Sequence, residues 1–404
     1  MIDTLTRVLH RSWTSVPAIL RRNFLLDFVA ALFVGVYIAT INSFAPVVAR
    51  RLGADVFLLS LLTAAPSAGN LISVLASHYL QNRRKMPYMV LAWTIGRGLF
   101  LLTAFIIAPE PFVLLVIVSW FILALPLPGY VEMMREIYPA PLRGRAMAYV
   151  RVGFTSCATV LTPIIGRLLD ITSYRLLFPI AAVFGIFSGL TFGRVTVSEI
   201  AHTTRHDLYE PGRILRKDKY YRDYSIAFFV YGLGQLMTAP LIPLLLVDEL
   251  RLDYGAVGLL GMINSLFWMA FYVVWGRTVD QRGGLWTLRV NFFLTIFVSL
   301  AFFFAQGMWL AAIAYIFTGI TVAGVDLGWL NAVMQFARKE EISNYTALHA
   351  FLVGVRGIMA PLAGMGLAMV PWVGLRGVFL VSAVLILAGW ILVRRVSLPA
   401  IVME

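Results

Sequence analysis

The sequence predicts an all-α polytopic membrane protein with twelve transmembrane helices arranged as two six-helix bundles. Its 404 residues are 60% hydrophobic and only 13% charged, whereas soluble domains are roughly 25% charged. The apolar residues also fall into blocks of about 20, the length that crosses roughly 30 Å of hydrocarbon as a helix. A transmembrane β-barrel would show short alternating segments instead, and a disordered chain could not carry so much apolar sequence.

The apolar blocks form two sets of six, separated by one long polar stretch. The first set is predicted at residues 24–48, 56–80, 86–108, 112–134, 146–169 and 176–193, and the second at 224–247, 256–276, 285–305, 308–334, 345–371 and 377–393. The predicted organisation is a cytoplasmic N-terminal segment (1–23), a bundle (24–194), a cytoplasmic linker (195–223), a second bundle (224–395) and a cytoplasmic tail (396–404).

The positive charges predict the orientation of the chain. Most of the 33 Lys and Arg residues lie in the N-terminal segment, the linker and the short loops on the same side of the membrane. Because cytoplasmic loops collect Lys and Arg during insertion, both termini are predicted to be cytoplasmic, in the cell (inner or plasma) membrane. This distribution explains the net charge of +13 without a nucleic-acid partner.

The cysteine and histidine residues of the sequence do not indicate a metal site or a redox site. The single cysteine, Cys157, lies in an apolar block, so neither a disulfide framework nor a cysteine metal cluster is expected. His202 and His206 are four residues apart in the linker but lack a third ligand nearby. We expect no cofactor and no metal.

The two halves share short patterns that indicate an internal repeat. Pro163-x-x-Gly166 in the fifth span matches Pro361-x-x-Gly364 in the eleventh. The loop ending in Arg84 and Lys85 is tight and basic, as is the loop 280–283. In membrane proteins such repeats are typical of transporters.

These features resemble the major facilitator superfamily of secondary transporters over residues 24–395. The segment from Gly276 through Asp280 to Gly283 is similar to that family's Gly-x-x-x-Asp-x-x-Gly gating motif, and the first half keeps only its basic end, Arg84 and Lys85. The turn 141–146 is similar to the Arg-Gly turn after the family's fourth span. The resemblance implies two bundles that rock around a central cavity lined by the first, fourth, seventh and tenth spans. Pro163-x-x-Gly166 also resembles part of an antiporter motif, which implies a slight lean towards export.

Ionisable residues at bilayer depth are functional candidates, because burying their charge in lipid is costly. Asp326 on the tenth span, with Trp329 on the same face, is the leading candidate for proton coupling. The alternative is a structural role as the partner of Arg356 on the eleventh span or as a helix-packing hydrogen bond. Arg356 itself is a candidate for binding an anionic substrate.

A second charged group lies on the fourth span. Glu132, Arg135 and Glu136 share one helical face. They predict either a gate ion pair at the cytoplasmic end or a direct role in proton or substrate handling, and Arg151 is expected to pair with Glu132 or Glu136.

Further candidates for substrate contact are polar or aromatic residues at helical spacing. Asp27 and Asn42 lie on the first span, and the remaining ones are Tyr231 and Gln235 on the seventh and Asn264 and Trp268 on the eighth. Hydrogen bonding between helices is the alternative explanation for this set.

The predicted function is secondary active transport of a small organic solute by alternating access, coupled to protons. We expect a monomer in the lipid bilayer. Two other classes stay open: a transport fold that acts as a sensor or scaffold without turnover, and a membrane-embedded enzyme. The sequence contains no His-Glu-x-x-His, Gly-x-Ser-x-Gly or nucleotide-binding loop, so we do not expect an enzyme.

Overall fold

A computed structural model of the chain describes residues 17–79, 84–197, 211–338 and 341–398. These residues form helices joined by short connections, and they contain no strand. The spans are α1 (Ala18–Arg51), α2 (Val56–Tyr79), α3 (Lys85–Ala104), α4 (Pro109–Ala124 and Leu127–Ile137), α5 (Ala140–Ile171), α6 (Tyr174–Phe192), α7 (Lys219–Glu249), α8 (Tyr254–Arg282), α9 (Gly284–Phe304), α10 (Met308–Phe336), α11 (Ile342–Ala368) and α12 (Gly374–Arg395). A short helix, Pro211–Lys217, precedes α7. The predicted fold class is confirmed.

The fourth span differs from the prediction because it is two helices. Eleven helices of the described chain are long and apolar enough to cross a membrane, whereas Pro109–Ala124 has only 16 residues. A turn at 125–126 separates it from the second segment, Leu127–Ile137. Proline has no N–H to donate and its ring clashes with the preceding turn, so Pro126 accounts for the break.

The seventh span begins earlier than predicted, at Lys219 rather than 224. The Asp218 side chain accepts a hydrogen bond from the Tyr221 backbone N–H at 2.9 Å and caps this helix. The polar start of α7 is therefore a capped helix end. The two linker histidines, His202 and His206, lie outside the described residues.

Helix α1 contains one irregular turn at the depth of the predicted cavity. Residues Ile38–Asn42 adopt a π-helical turn before the helix continues to Arg51. The Ser43 hydroxyl donates to the Ile38 carbonyl at 3.1 Å inside this turn. Single π turns inside α-helices occur frequently at functional sites.

The two bundles, α1–α6 and α7–α12, meet along two seams, α5 against α8 and α2 against α11. At the first seam, Gly258 lies against Pro163, and a Cβ on Gly258 would fall 2.9 Å from the Pro163 Cα. At the second, the Ser60 hydroxyl lies 3.3 Å from the Pro361 carbonyl. The prolines of the two Pro-x-x-Gly repeats thus occupy equivalent places at the two seams, where small residues allow close helix approach.

The bundles are joined differently at their two ends. We call the face at which α1 starts the proximal face and the face at which it ends the distal face. Toward the distal face one continuous core contains side chains of both bundles, including Phe44 and Leu245. Toward the proximal face each bundle has its own core, one around Met134 and one around Phe336. Among the described residues, the two bundles therefore share one buried apolar core at the distal face and have separate buried cores at the proximal face.

Candidate functional site

A group of polar contacts locks the two bundles together at the distal face. The Arg50 guanidinium at the end of α1 forms an ion pair with Asp248 in α7, with Nη2 and Oδ2 2.6 Å apart. Its Nε donates to the same Oδ2 at 2.8 Å. Arg51 donates to the Leu252 carbonyl at 2.8 Å and lies 3.7 Å from the centre of the Tyr254 ring.

A carboxylate completes this distal latch, which we define as Arg50, Arg51, Asp170, Asp248 and Tyr254. Asp170 at the end of α5 accepts hydrogen bonds from the backbone N–H groups of Tyr254 and Gly255, each at 2.8 Å. These N–H groups lie at the N-terminus of α8, where a negative charge is stabilising. The latch therefore links α1 to α7 and α5 to α8.

The latch was not among the predicted site residues, although the sequence contains a signal for it. Helix α1 ends in Arg50-Arg51, and its repeat counterpart α7 ends in Asp248-Glu249. Opposite charges at equivalent repeat positions are the expected pattern for a contact across a pseudo-two-fold axis. Glu249 is not part of that contact, because it pairs with Arg376 of its own bundle at 2.7 Å.

Asp326 lies on α10 at the interface of the bundles. Asp326 is exposed in the fold, and its Oδ2 accepts a hydrogen bond from the Trp268 indole N–H of α8 at 3.2 Å. Arg151, from α5 of the other bundle, has its guanidinium carbon 5.8 Å from the Trp268 ring centre. The structure thus brings together three predicted residues, Asp326, Trp268 and Arg151, from both halves.

Arg356 is not the partner of Asp326. It is only 5% exposed, and its Nη1 donates to the Phe228 carbonyl of α7 at 2.5 Å. Among the described residues no carboxylate forms an ion pair with it, and its Nε has no hydrogen-bond partner. The guanidinium fits against α7 because residue 232 is a glycine, whose missing side chain leaves the space that Arg356 fills. The alternative role of Asp326 as the partner of Arg356 is therefore wrong, and its contact with Trp268 is a hydrogen bond between helices.

Three other candidates contribute to packing within the second bundle. Tyr231 is fully buried, stacks on Phe292 at 3.7 Å and shares a hydrogen bond with Thr295 at 3.2 Å. Trp329 stacks on His349 at 4.8 Å. Asn264 donates to the Tyr315 carbonyl of α10 at 3.3 Å. These contacts correspond to the alternative of hydrogen bonding and packing between helices, whereas Gln235, half-buried on α7, keeps its place as a candidate.

Asp27 is enclosed near the proximal end of the first bundle. It is 4% exposed and accepts a hydrogen bond from the Tyr138 hydroxyl at 2.8 Å. Tyr138 lies between the second segment of α4 and α5, and burial raises the pKa of its hydroxyl well above the usual range. The pair ties α1 to the α4–α5 connection, so Asp27 has a defined structural contact.

The predicted proximal gate residues are only partly covered by the structure. Glu132 and Arg135 belong to the helix Leu127–Ile137, but their side chains are not among the parts of the chain that the structure describes. Glu136 is exposed on the same helix. The pairing of Arg151 with Glu132 or Glu136 stays a prediction beside its observed contact with Trp268.

The segment that resembles the gating motif, from Gly276 to Gly283, lies at the end of α8 and in its connection to α9. Gly283 has a φ of +82°, a conformation that glycine adopts readily. Two residues further on, the backbone N–H of Leu285 donates a hydrogen bond to the Gln335 side-chain oxygen of α10 at 2.9 Å. Gly276 has open space around it and Asp280 is exposed. The corresponding first-half residues, exposed Arg84 and the α3 start at Lys85, also lie at the proximal face.

A cavity of about 240 Å³ lies next to the π turn of α1. Residues of α1, α2, α3 and α4 line it, and Ala239 of α7 covers it from the other bundle. Asn42, a predicted candidate, belongs to the lining together with Trp120 of α4. The cavity is therefore built mainly by the first bundle, and a single lining residue comes from the second.

Fold and site together define a multi-pass membrane transporter with two six-helix bundles around an interfacial cavity. The chain belongs to the Major Facilitator Superfamily, whose sequence profile matches residues 27–361 and 224–401. The family resemblance stated from the motifs is thus confirmed.

Solved structures show the same fold. A mutant of the nucleoside transporter NupG superposes with a TM-score of 0.71 at 12% identity, covering 93% of this chain and 99% of that one. A bacterial homologue of the human lysosomal transporter Spinster, inward-facing and occupied, gives 0.69 at 12% identity, covering 96% and 97%. At these identities the likeness concerns the fold alone. A comparison with curated protein sequences finds no match.

Proposed function

We propose that this protein is a proton-coupled secondary transporter that moves a small organic solute across the cell membrane by alternating access. The observation that carries the proposal is the contact between Asp326 and Trp268 beside Arg151. A carboxylate at bilayer depth is costly unless it is paired or protonated. Asp326 lies at the interface between the two bundles, which move against each other during alternating access. Protonation of its carboxylate would change the charge at that interface and so couple proton binding to the movement.

The asymmetric packing of the bundles supports alternating access. The distal latch and the continuous distal core hold the bundles together on one side, and the proximal cores are separate. With both termini in the cytoplasm, as the positive charges predict, this arrangement is an inward-facing state. The likeness of the fifth-span motif to antiporters supports export as the direction.

Glu132 is the second candidate for coupling, and the gate is its other assigned role. A Glu132→Gln variant separates these roles. A gate residue alters the access of probes from the two membrane faces with little loss of affinity, whereas a coupling residue abolishes the proton dependence of transport.

The test of the proposal starts from a thermal-stability screen of purified protein with metabolites and amphipathic drugs at two pH values, since ligands stabilise the folded state. The best solute is then assayed in liposomes with an imposed pH gradient. We expect Asp326→Asn to abolish gradient-driven accumulation while solute exchange persists, and Asp223→Asn, a carboxylate beside Arg222 at the start of α7, to change neither. Unchanged proton dependence in Asp326→Asn would refute Asp326 as the coupling residue, and absence of proton dependence in the native protein would refute the coupling. Binding without any flux would favour the sensor or scaffold.

A further inference from the structure

The cavity beside the α1 π turn contains no side chain that carries a charge at neutral pH. Its lining is apolar or aromatic apart from the side chains of Tyr37, Asn42, Thr63, Ser119 and Trp120. An ionised ligand would leave water without meeting an opposite charge there, which costs several kcal/mol. The buried Arg97 guanidinium lies behind the lining, 6.0 Å from the Tyr37 ring centre, but it is not a lining residue and donates to the Ser188 hydroxyl at 2.7 Å. The lining itself therefore offers no charged partner to a ligand.

Three of the five polar lining groups are already used within the protein. The hydroxyl of the buried Tyr37 contacts the Ser119 side chain. The Thr63 hydroxyl donates to the Leu59 carbonyl at 2.9 Å. The Ser119 hydroxyl donates to the Gly96 carbonyl at 2.7 Å. These hydroxyls satisfy backbone groups of α2 and α3 and have little left to offer as donors.

Two other polar groups are available to a ligand. Within the described part of the chain, neither the Asn42 carboxamide nor the Trp120 indole N–H has a hydrogen-bond partner. Asn42 is the last residue of the π turn and is exposed. A carboxamide offers two donors and one acceptor group in one plane. Its best complement is another planar group with a donor beside an acceptor.

The shape of the lining also favours a planar ligand. The rings of Tyr37, Phe100 and Trp120 border the cavity, and Tyr37 packs edge-to-face on Phe100 with centroids 5.9 Å apart. Aromatic side chains bind rings by stacking and edge contacts. The volume, about 240 Å³, is smaller than the roughly 300–1,000 Å³ of drug-sized pockets, which limits the bound part to one small ring system with a short substituent.

We infer that this cavity binds an uncharged, planar ring that carries an amide-like donor and acceptor, held by the Asn42 carboxamide and the Trp120 ring. This inference rests on the proposed transport function and names the chemical class of its substrate. Ala239 of the second bundle is one of the lining residues, so movement of the second bundle against the first changes one wall of the cavity.

Matched probes of equal shape and different charge test the inference. We use indole-3-acetamide, indole-3-acetate and tryptamine, and, with a smaller ring, nicotinamide, nicotinate and 3-(aminomethyl)pyridine; hexanamide is the amide without a ring. Binding is measured by thermal stabilisation and calorimetry of the detergent-purified full chain. We expect at least one neutral ring amide to bind, its charged counterparts to bind at least roughly tenfold more weakly, and hexanamide not to bind.

Variants assign the binding to the cavity. Asn42→Ala is expected to lower the affinity for the neutral probe about tenfold, because the ligand loses its hydrogen bonds to the carboxamide. Asn42→Gln keeps the carboxamide and is expected to retain much of the affinity. Asn70→Ala changes an exposed asparagine of α2 outside this lining and leaves the affinity unchanged. If Asn42→Ala does not fold, Asn42→Asp replaces it, and its added charge shifts preference to tryptamine or 3-(aminomethyl)pyridine.

The inference is overturned if no neutral ring amide binds, if a charged counterpart or hexanamide binds equally well, or if binding is the same in Asn42→Ala as in Asn70→Ala. Its failure is distinguishable from that of the proposed function, because binding is measured without a membrane or gradient. Asp326→Asn protein that has lost proton coupling should still bind the neutral probe, and a coupled transporter that prefers charged probes would refute only the inference.

Discussion

Arg50 of the first bundle and Asp248 of the second form an ion pair of 2.6 Å that spans the interface at the distal face. Both side chains are partly exposed, 25% and 38%, so the pair contributes modestly, on the order of 1 kcal/mol at most. A rocking transporter needs contacts of this strength, because a latch that is too stable would trap one state. The pair belongs to the closed distal state and has to break when that face opens.

Loss of this ion pair should favour opening of the distal face. We expect Asp248→Asn to raise the ratio of distal-open to distal-closed molecules by about fivefold, the equivalent of roughly 1 kcal/mol. The measurement is the distance between spin labels on cysteines introduced at Ile171 and Trp372, exposed distal residues of opposite bundles, in a Cys157→Ser background. Glu249→Gln is the matched control, since it breaks a pair confined to the second bundle. Equal effects of both variants would contradict a latch.

Substitution of Gly258 should disturb the seam between α5 and α8. A Cβ at this position would lie 2.8 Å from the Thr162 carbonyl oxygen, so the helices have to move apart. Overpacking of this kind costs about 1–3 kcal/mol, and we expect Gly258→Ala to lower the unfolding temperature and slow transport. Gly366→Ala in α11 has open space around it and should be neutral or slightly stabilising. A Gly258→Ala protein as stable and active as Gly366→Ala would show that the seam tolerates separation.

The Tyr138 hydroxyl should be important for stability. Tyr138→Phe leaves the buried Asp27 carboxyl without its described hydrogen-bond donor, at a cost of about 1–3 kcal/mol. We expect a lower thermal unfolding temperature than in Tyr149→Phe, which changes an exposed tyrosine of α5. Combining Tyr138→Phe with Asp27→Leu should recover part of the loss, because no buried carboxyl is then left unpaired. A double variant no better than Tyr138→Phe would argue against the pair as the cause.

Replacement of Arg356 by a similar-sized apolar side chain should leave the fold intact. Its buried guanidinium has one carbonyl partner, a ring contact with Phe228 at 4.5 Å and an unpartnered Nε, and no carboxylate among the described residues forms an ion pair with it. Apolar replacement of such groups is often neutral or stabilising. We therefore expect the free energy of unfolding of Arg356→Met to lie within about 1 kcal/mol of that of the native protein. Arg356→Ala, which leaves a cavity, should be less stable by about 2 kcal/mol or more. A strong destabilisation by Arg356→Met would show that the charge itself is structurally required.

The class of this protein, the approximate position of its spans and its ionisable residues at bilayer depth were all predictable from the order of the amino acids. The reason is physical: hydrocarbon thickness fixes the length of an apolar helix, and charge in lipid is costly enough to mark functional positions. Two boundaries differed from the apolar pattern: Pro126 divides the fourth span, and the seventh span begins early at Lys219, where Asp218 caps the helix.

Which residues contact one another depends on how the helices pack. Helical periodicity places Asp326 and Trp329 on one face of α10 but does not fix the rotation of α10 against α8 and α11. In the fold, Asp326 contacts Trp268, Trp329 packs on His349, and Arg356 lies against α7. The distal latch is decided in the same way, because Arg50 and Asp248 are 198 residues apart and meet only when the two bundles pack together.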